Sequence, residues 1–494
     1  MAPALFNEKY KTIQDIHDAF DQKVLSPVEL TQDYLSACRS SSLGAFLEIC
    51  ESRALNQAKF AEQILSREGQ VPRERFPLLG IPLGIKDNLT IDGVKTTCAS
   101  KMLENYIPPY TATAVERLEK AGAISLGKLN MDEFAMGGSN ENSAFGPVKH
   151  PKHLDRVPGG SSGGSAAAVG GHLCVGALGS DTGGSIRLPA SYCGVVGVKP
   201  TYGRISRYGL VAFASSLDQV GPLTHTVEDA ALLTDVMSGF DPKDATSAPY
   251  EPLKSFSYLS SLKKNPLDLS QVKFGVPKEY LVGGLAPEVE QSVEQAIHRL
   301  ESLGAKRVPV SLPHTPYSVA VYYLVAVSEA SSNLARFDGV RFGVRPKEAI
   351  EAQDLTAFYE AVRKGFGPEV KRRIILGTFA LSSGYSEAYY RKACQVRRLV
   401  KQDFDQAFRQ VDLIVGPVAP TTAFRLGEKI QDPLKMYLND IFTIPANLAG
   451  LPSMSIPCGQ DALGLPIGFH MMAPAFQEER MFAIAQRLSQ AFQH

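Results

Sequence analysis

A net charge is the first thing this chain lacks: 51 lysines and arginines face 51 aspartates and glutamates, so its formal charge is zero at pH 7. That argues against a protein that holds nucleic acid mainly by its own surplus of positive charge, although a local basic patch stays open. Paired cysteines are lacking as well. The seven cysteines, at positions 38, 50, 98, 174, 193, 394 and 458, are odd in number and show no C-x-x-C spacing. This fits reduced thiols better than a disulfide framework or a zinc site. The longest mostly apolar run, Ala166 to Leu178, is rich in glycine and alanine, contains His172 and is too short for a membrane span. The opening stretch from Met1 to Lys9 has neither an apolar signal core nor an arginine- and serine-rich transit pattern. These absences predict a soluble, cytoplasmic protein with no membrane partner.

What is present is ordinary globular material. The 494 residues are 44% hydrophobic and 21% charged, enough for several domains or one large α/β unit. Residues 12–70 read as two or three helices, and Ser26, Pro27 and Glu29 stand where a helix start places its N-cap, first and third residues. A short apolar run, Ile81 to Ile85, predicts a buried strand ending at Lys86. Thr113 to Ala121 then predicts a helix and Ala123 to Leu126 a strand. That alternation predicts an α/β fold, a large mixed sheet with helices on both faces. Residues 241–272, rich in Pro, Ser, Lys and Asp, are the expected surface excursion from a single domain spanning 1–494. Beyond it, helices are expected at Pro287–Leu303, Tyr317–Ala335 and Glu369–Phe408, the last interrupted near Gly384. Late strands are expected at Val411–Val415 and Ser453–Ile456.

Two glycine-serine clusters mark the chemistry: Pro158 to Ser165 and Ser180 to Arg187. Glycine at such density lets main-chain amides turn toward a ligand. A phosphate-binding P-loop requires a lysine where Ser165 stands. Gly159 to Gly163 spells G-x-S-x-G, but the residues before it make a poor strand, and His470 and His494 are the only late histidines; an α/β-hydrolase is therefore discounted without being removed. Two S-x-x-K matches, at Ser125 and Ser261, are expected by chance in a chain of this length and carry no weight. Lys86 follows an apolar strand, and desolvation there lowers an amine's pKa until it serves as a base for a serine. A surface lysine paired with Asp87 is the competing reading.

These residues resemble the amidase signature family. The match runs through Pro158 to Ala168, Gly179 to Arg187 and Cys193 to Pro200, with Lys86 in the motif Leu83 to Asn88 and Ser161 and Ser185 24 positions apart. The resemblance implies Ser185 as nucleophile, Ser161 as a proton relay on a cis peptide, Lys86 as base, and an oxyanion hole from the amides around Thr182, Gly183 and Gly184. Within the family, Asn130 to Met136, Lys199 to Gly209, Glu329 to Gly339 and Asn439 to Asn447 are most similar to the glutamine-hydrolysing subunits of tRNA-dependent amidotransferases. That similarity implies glutamine as substrate, with Arg373 on its α-carboxylate, Asp440 on its α-ammonium and Tyr323 in the same pocket. Which of Arg372 and Arg373 faces inward stays open. It further implies B and C partner subunits, ammonia passed to a partner that amidates Glu-tRNA(Gln) or Asp-tRNA(Asn) with ATP and Mg2+, and no cofactor or metal in this chain. Gly137 to Asn140, Leu188 and Gly170-Gly171 depart from the usual pattern without touching the three catalytic positions. A stand-alone amidase for small or aryl amides shares the triad, and a non-catalytic scaffold subunit is the reading from another class.

Overall fold

The computed structural model describes residues 9–249, 267–280, 284–430 and 432–492. Ser26 opens a helix as its sequence predicts: Glu29 N donates to Ser26 Oγ at 3.2 Å, Ser26 N donates to Glu29 Oε2 at 2.9 Å, and Pro27 begins the helix Pro27–Ser40. With Ile13–Asp21 and Glu51–Glu68 it makes three helices among the described residues of the N-terminal region. The strand β1 (Phe46–Ile49) between them was not expected.

The next strands are β2 (Pro82–Lys86), β3 (Ile124–Leu129), β4 (Gly176–Asp181), β5 (Val196–Lys199) and β6 (Gln219–Thr224). After them come β7 (Lys273–Pro277), β8 (Lys306–Val310), β9 (Leu413–Pro417), β10 (Ser453–Gln460) and β11 (Pro466–Met472). All eleven form one sheet in the order β1-β3-β2-β4-β6-β5-β10-β11-β9-β7-β8. The sheet is mixed: β3, β2 and β4 run parallel, as do β9, β7 and β8, and the ladders between these blocks are antiparallel. Helices cover both faces, because a central strand with apolar residues on both sides must bury both. In β9, Leu413 and Val415 pack among residues of helices Pro287–Ser302 and Glu478–Phe492, while Ile414 packs with Ser318–Asn333 and Lys392–Ala407. The α/β fold with a large mixed sheet flanked on both faces is thus the observed one.

The expected long helix divides into Pro368–Leu381 and Lys392–Ala407, with Gly384 at a positive φ of 84° between them. Of the expected excursion at 241–272, residues 250–266 lie outside the described residues. Its described start is tied down: Asp241 Oδ2 accepts from Thr113 Oγ1 and Ser206 Oγ, both at 2.6 Å, and Arg207 N donates to Asp244 at 2.8 Å.

One register places the chemistry. Strands β2 and β4 are parallel neighbours with Ile85 opposite Leu178, so Lys86 and Asp181, their last residues, finish at the same edge of the sheet. The carboxyl ends of parallel strands are where such folds expose backbone and loops to a ligand.

Candidate active site

Lys86 is completely buried, and its Nζ sits among serines. Ser161 Oγ is at 2.8 Å, Ser162 Oγ at 2.7 Å, Ser180 Oγ at 3.0 Å and the Ser180 carbonyl at 3.3 Å. The peptide between Gly160 and Ser161 is cis. Small residues permit this crowding: a Cβ at Gly160 would stand 2.1 Å from Asp132 Oδ2. Burial lowers the Lys86 ammonium to about 7, against the pull of Asp132, Asp181 and Asp218. Near neutral pH a large fraction of the amine is therefore uncharged.

Donor accounting shows where a neutral amine points its lone pair. Ser162 Oγ donates its hydrogen to the Ser180 carbonyl at 3.0 Å, so it can only accept from Lys86. Ser180 Oγ, which accepts from Asn88 Nδ2 at 2.9 Å, is the second acceptor within reach. A neutral amine has two N–H donors and one lone pair; with one donor on Ser162, a hydroxyl of Ser161 or Ser180 is left to meet the lone pair, and Ser161 is the one that the relay requires. Ser162 and Ser180 crowd the amine alongside Ser161 and were not singled out from the sequence.

Ser185 lies on the short loop between β4 and the helix Arg187–Cys193. A buried ion pair braces both ends of that loop. Arg187 Nη2 donates to Asp181 Oδ1 at 2.9 Å, Arg187 Nε and Ile186 N donate to Asp181 Oδ2 at 3.1 Å, and Asn447 Nδ2 donates to Asp181 Oδ1 at 2.8 Å. Burial alone pushes the Asp181 carboxyl up, but Arg187 outweighs it and holds the group well below the usual carboxylate range. The Ser185 carbonyl accepts from Ser162 N at 3.1 Å, which joins the two serine loops. The Ser185 hydroxyl, 7% exposed as a residue, has no hydrogen-bond partner among the described residues. The link from Lys86 to Ser161 is closed, whereas no hydrogen bond joins Ser161 to Ser185 among the described residues.

Thr182, Gly183 and Gly184 lie just ahead of Ser185, and their backbone N–H groups make no hydrogen bond among the described residues. Gly184 holds a φ of 152°, and a Cβ there would meet Thr443 Oγ1 at 2.3 Å and Asp440 Oδ1 at 2.6 Å. A Cβ on Gly183 would meet the Tyr322 ring at 2.7 Å. Gly184→Ala is therefore expected to lower kcat/KM for the amide substrate at least about 100-fold, because a displacement of about 1 Å at a reacting centre is enough for that. Steady-state kinetics beside circular dichroism checks it; an alanine variant of native activity would show that the loop has slack.

Of the remaining candidates, Asp440 reaches this loop, while Arg373 and Tyr323 pack together beside Tyr437. Arg373 is the inward arginine: its side chain is 4% exposed against 45% for Arg372. Helical spacing explains this, since consecutive residues point about 100° apart. Arg373 Nε donates to Glu369 Oε1 at 2.8 Å, Tyr437 Oη donates to the same oxygen at 2.8 Å, and the guanidinium stands 5.4 Å from the Tyr323, Tyr437 and Phe213 ring centres. Tyr323 stacks on Tyr437 at 3.9 Å, whereas Tyr322 is the one that abuts Gly183. Asp440 Oδ1, beside Gly184, is buried without a hydrogen-bond partner among the described residues, and burial together with Asp181 pushes its carboxyl well above the usual range. Among the described residues no group of three or more His, Cys, Asp or Glu residues is placed to hold a metal, and no helix is long and apolar enough to cross a membrane.

The Amidase family's sequence model matches residues 29–482. The glutamyl-tRNA(Gln) amidotransferase A-subunit of Acidobacterium capsulatum is 56% identical over 90% of this chain and 91% of its own. The protein of the same description from Carboxydothermus hydrogenoformans is 52% identical over 97% of each. Among solved structures, the glutamyl-tRNA(Gln) amidotransferase A-subunit of Thermotoga maritima superposes with a TM-score of 0.71 at 42% identity, covering 94% of both chains. Peptide amidase of Stenotrophomonas maltophilia gives 0.80 at 30% identity, covering 98% of this chain and 97% of that one. With a buried lysine bonded to a cis-linked serine, a second serine on a glycine loop and a family match over nearly its whole length, this chain belongs to the Amidase family.

Proposed function

We propose that the chain is the glutamine-hydrolysing subunit of a tRNA-dependent amidotransferase. The observation that carries this beyond a general amidase is the pairing of an inward Arg373 with a buried, unpartnered Asp440 oxygen beside the nucleophile loop. A guanidinium grips a carboxylate with two parallel hydrogen bonds, and a carboxylate takes an ammonium, so the pair matches the two charges of a free amino acid. The ligand's ammonium also brings the raised Asp440 carboxyl back to its ionised form.

In this reading Ser185 Oγ attacks the side-chain amide carbon of glutamine while its proton passes to Ser161 and the Ser161 proton passes to neutral Lys86. The amides of Thr182, Gly183 and Gly184 hold the oxyanion, each such donor being worth about 3 kcal/mol in the transition state. The proton returns through Ser161 to the leaving nitrogen and ammonia departs. Water then attacks the γ-glutamyl ester by the reverse relay and releases glutamate. Ammonia moves to the partner subunits, B and C, where ATP and Mg2+ activate the mischarged tRNA, Glu-tRNA(Gln) or Asp-tRNA(Asn). A chain of zero net charge suits a subunit that leaves the tRNA to its partner.

Arg373→Lys tests the substrate. Loss of a bidentate contact worth roughly 1.5–3 kcal/mol is expected to raise KM for glutamine about 10- to 100-fold with a smaller change in kcat. Hydrolysis of an uncharged amide such as hexanamide is expected to stay at the parent level. Equal losses on both substrates, or on neither, would favour an amidase for small neutral amides.

A further inference from the structure

Thr182, Gly183 and Gly184 stand just ahead of Ser185, and of these Thr182 alone has a side chain with which to be held. The sheet supplies its partner. Strands β4 and β6 are antiparallel with Asp181 opposite Gln219, so the next residues, Thr182 and Asp218, meet just beyond the strand ends. Thr182 Oγ1 donates to Asp218 Oδ1 at 2.8 Å, and both residues are buried. Water does not compete for a bond placed there, and the low dielectric strengthens it.

Asp218 is itself held. Phe213 N donates to its Oδ2 at 2.9 Å and Ala214 N to the same oxygen at 3.0 Å. The turn that these amides begin is fastened to the helix Ser318–Asn333. Ser216 N donates to Glu329 Oε2 at 2.9 Å, and Asn333 Nδ2 donates to the Phe213 carbonyl at 3.2 Å. Arg397 Nη2 adds a bond to the Ser216 carbonyl at 3.0 Å. The same helix brings Tyr322 against Gly183. Glu329 and Asn333 lie in a stretch that the family resemblance marks and the serine relay does not use. A continuous set of buried and half-buried contacts thus runs from this helix, through the turn at 213–218, to Thr182.

We propose that Asp218 is a positioning residue for amide hydrolysis: the hydrogen bond that it accepts from Thr182 sets the direction of the amides at 182–184 toward the oxyanion. The inference rests on those amides being the oxyanion hole, and not on glutamine being the substrate. The test measures kcat and KM on the full-length chain with glutamine and with hexanamide. Asp218→Ala and Thr182→Val, the second close to threonine in shape, break the bond from either side. Each is expected to lower kcat at least about tenfold on both amides while KM stays within about threefold, because a misdirected donor is felt in the transition state. One bond can be lost only once, so the double variant is expected to fall within about threefold of the slower single one. Asp218→Asn can accept from the Phe213 amide and donate to Thr182 Oγ1, and is expected to recover most of the rate. Losses that multiply in the double variant, Thr182→Val at the parent rate, a rise in KM alone, or Asp218→Asn as slow as Asp218→Ala would overturn the assignment. Gly184→Ala separates the two failures. If it is slow while Asp218→Ala is not, the inference falls and the oxyanion hole stands; if it keeps native activity, both fall.

Discussion

Ser185→Ala is expected to stop glutamine hydrolysis, with a loss on the order of 10⁴-fold or more, and to leave the ammonia-dependent amidation of the assembled enzyme at the parent rate. The size follows from what is removed. Without an attacking oxygen there is no acyl-enzyme, and only binding and the amides of the glycine loop remain, as in other serine hydrolases stripped of their nucleophile. The asymmetry follows from the proposed division of labour: added ammonium salt enters after the step assigned to Ser185. The fold should tolerate the change, since the Ser185 hydroxyl makes no hydrogen bond among the described residues and its backbone contact, Ser162 N to the Ser185 carbonyl, is retained. Two rates measured on one preparation decide it. A variant in which both fall together has lost assembly or structure, and one in which neither falls has another nucleophile.

The second large effect is on the base. The kcat/KM for glutamine is expected to rise with pH through a limb centred at about 7, where Lys86 loses its proton, and then to level off. The sign is set by the lone pair: below the limb the ammonium has none to offer Ser161, so the rate falls about tenfold per pH unit. Glu133, whose carboxyl burial pushes to about 7, titrates in the same range. Temperature separates them, because an amine's ionisation shifts strongly on warming and a carboxyl's hardly moves. Lys86→Met, similar in length and able to remain in a fully buried site, is expected to cost at least about 10³-fold in kcat. A flat profile between pH 5.5 and 8.5, or a limb that ignores temperature, would remove Lys86 as the base.

Much of the site was legible because its chemistry is written in short runs. A lysine closing an apolar strand and serines among glycines are local patterns, and the family resemblance fixed their order. Ser162 and Ser180 escaped because neighbouring hydroxyls look alike in sequence; which of them meets Nζ depends on the cis link at Ser161 and on the register of β2 against β4. Tyr323 and Tyr322 are indistinguishable for the same reason, adjacent helical residues facing different ways, and Tyr322 is the one against Gly183. The missed strands have their own causes. Pro222 sits inside β6, where a proline ordinarily argues against an inner strand. It is opposite Leu178 of β4, while the ladder to β5 joins only Thr224 and Leu223, so its missing N–H breaks nothing on that side. Strand β8 is mostly exposed at the sheet's edge, and its lysine, arginine and proline hide its period while discouraging further pairing.

The Asp181–Arg187 pair has a consequence for timing. Residues 181 and 187 clasp the ends of a seven-residue turn, so the turn is in effect a small ring closed by charge, with Ser185 on its rim. A ring of this kind is ordered when the chain folds, long before any amide arrives. In the proposed mechanism, the entropy of aligning the amides of this turn with Ser185 is thus settled in the folding equilibrium rather than in each turnover.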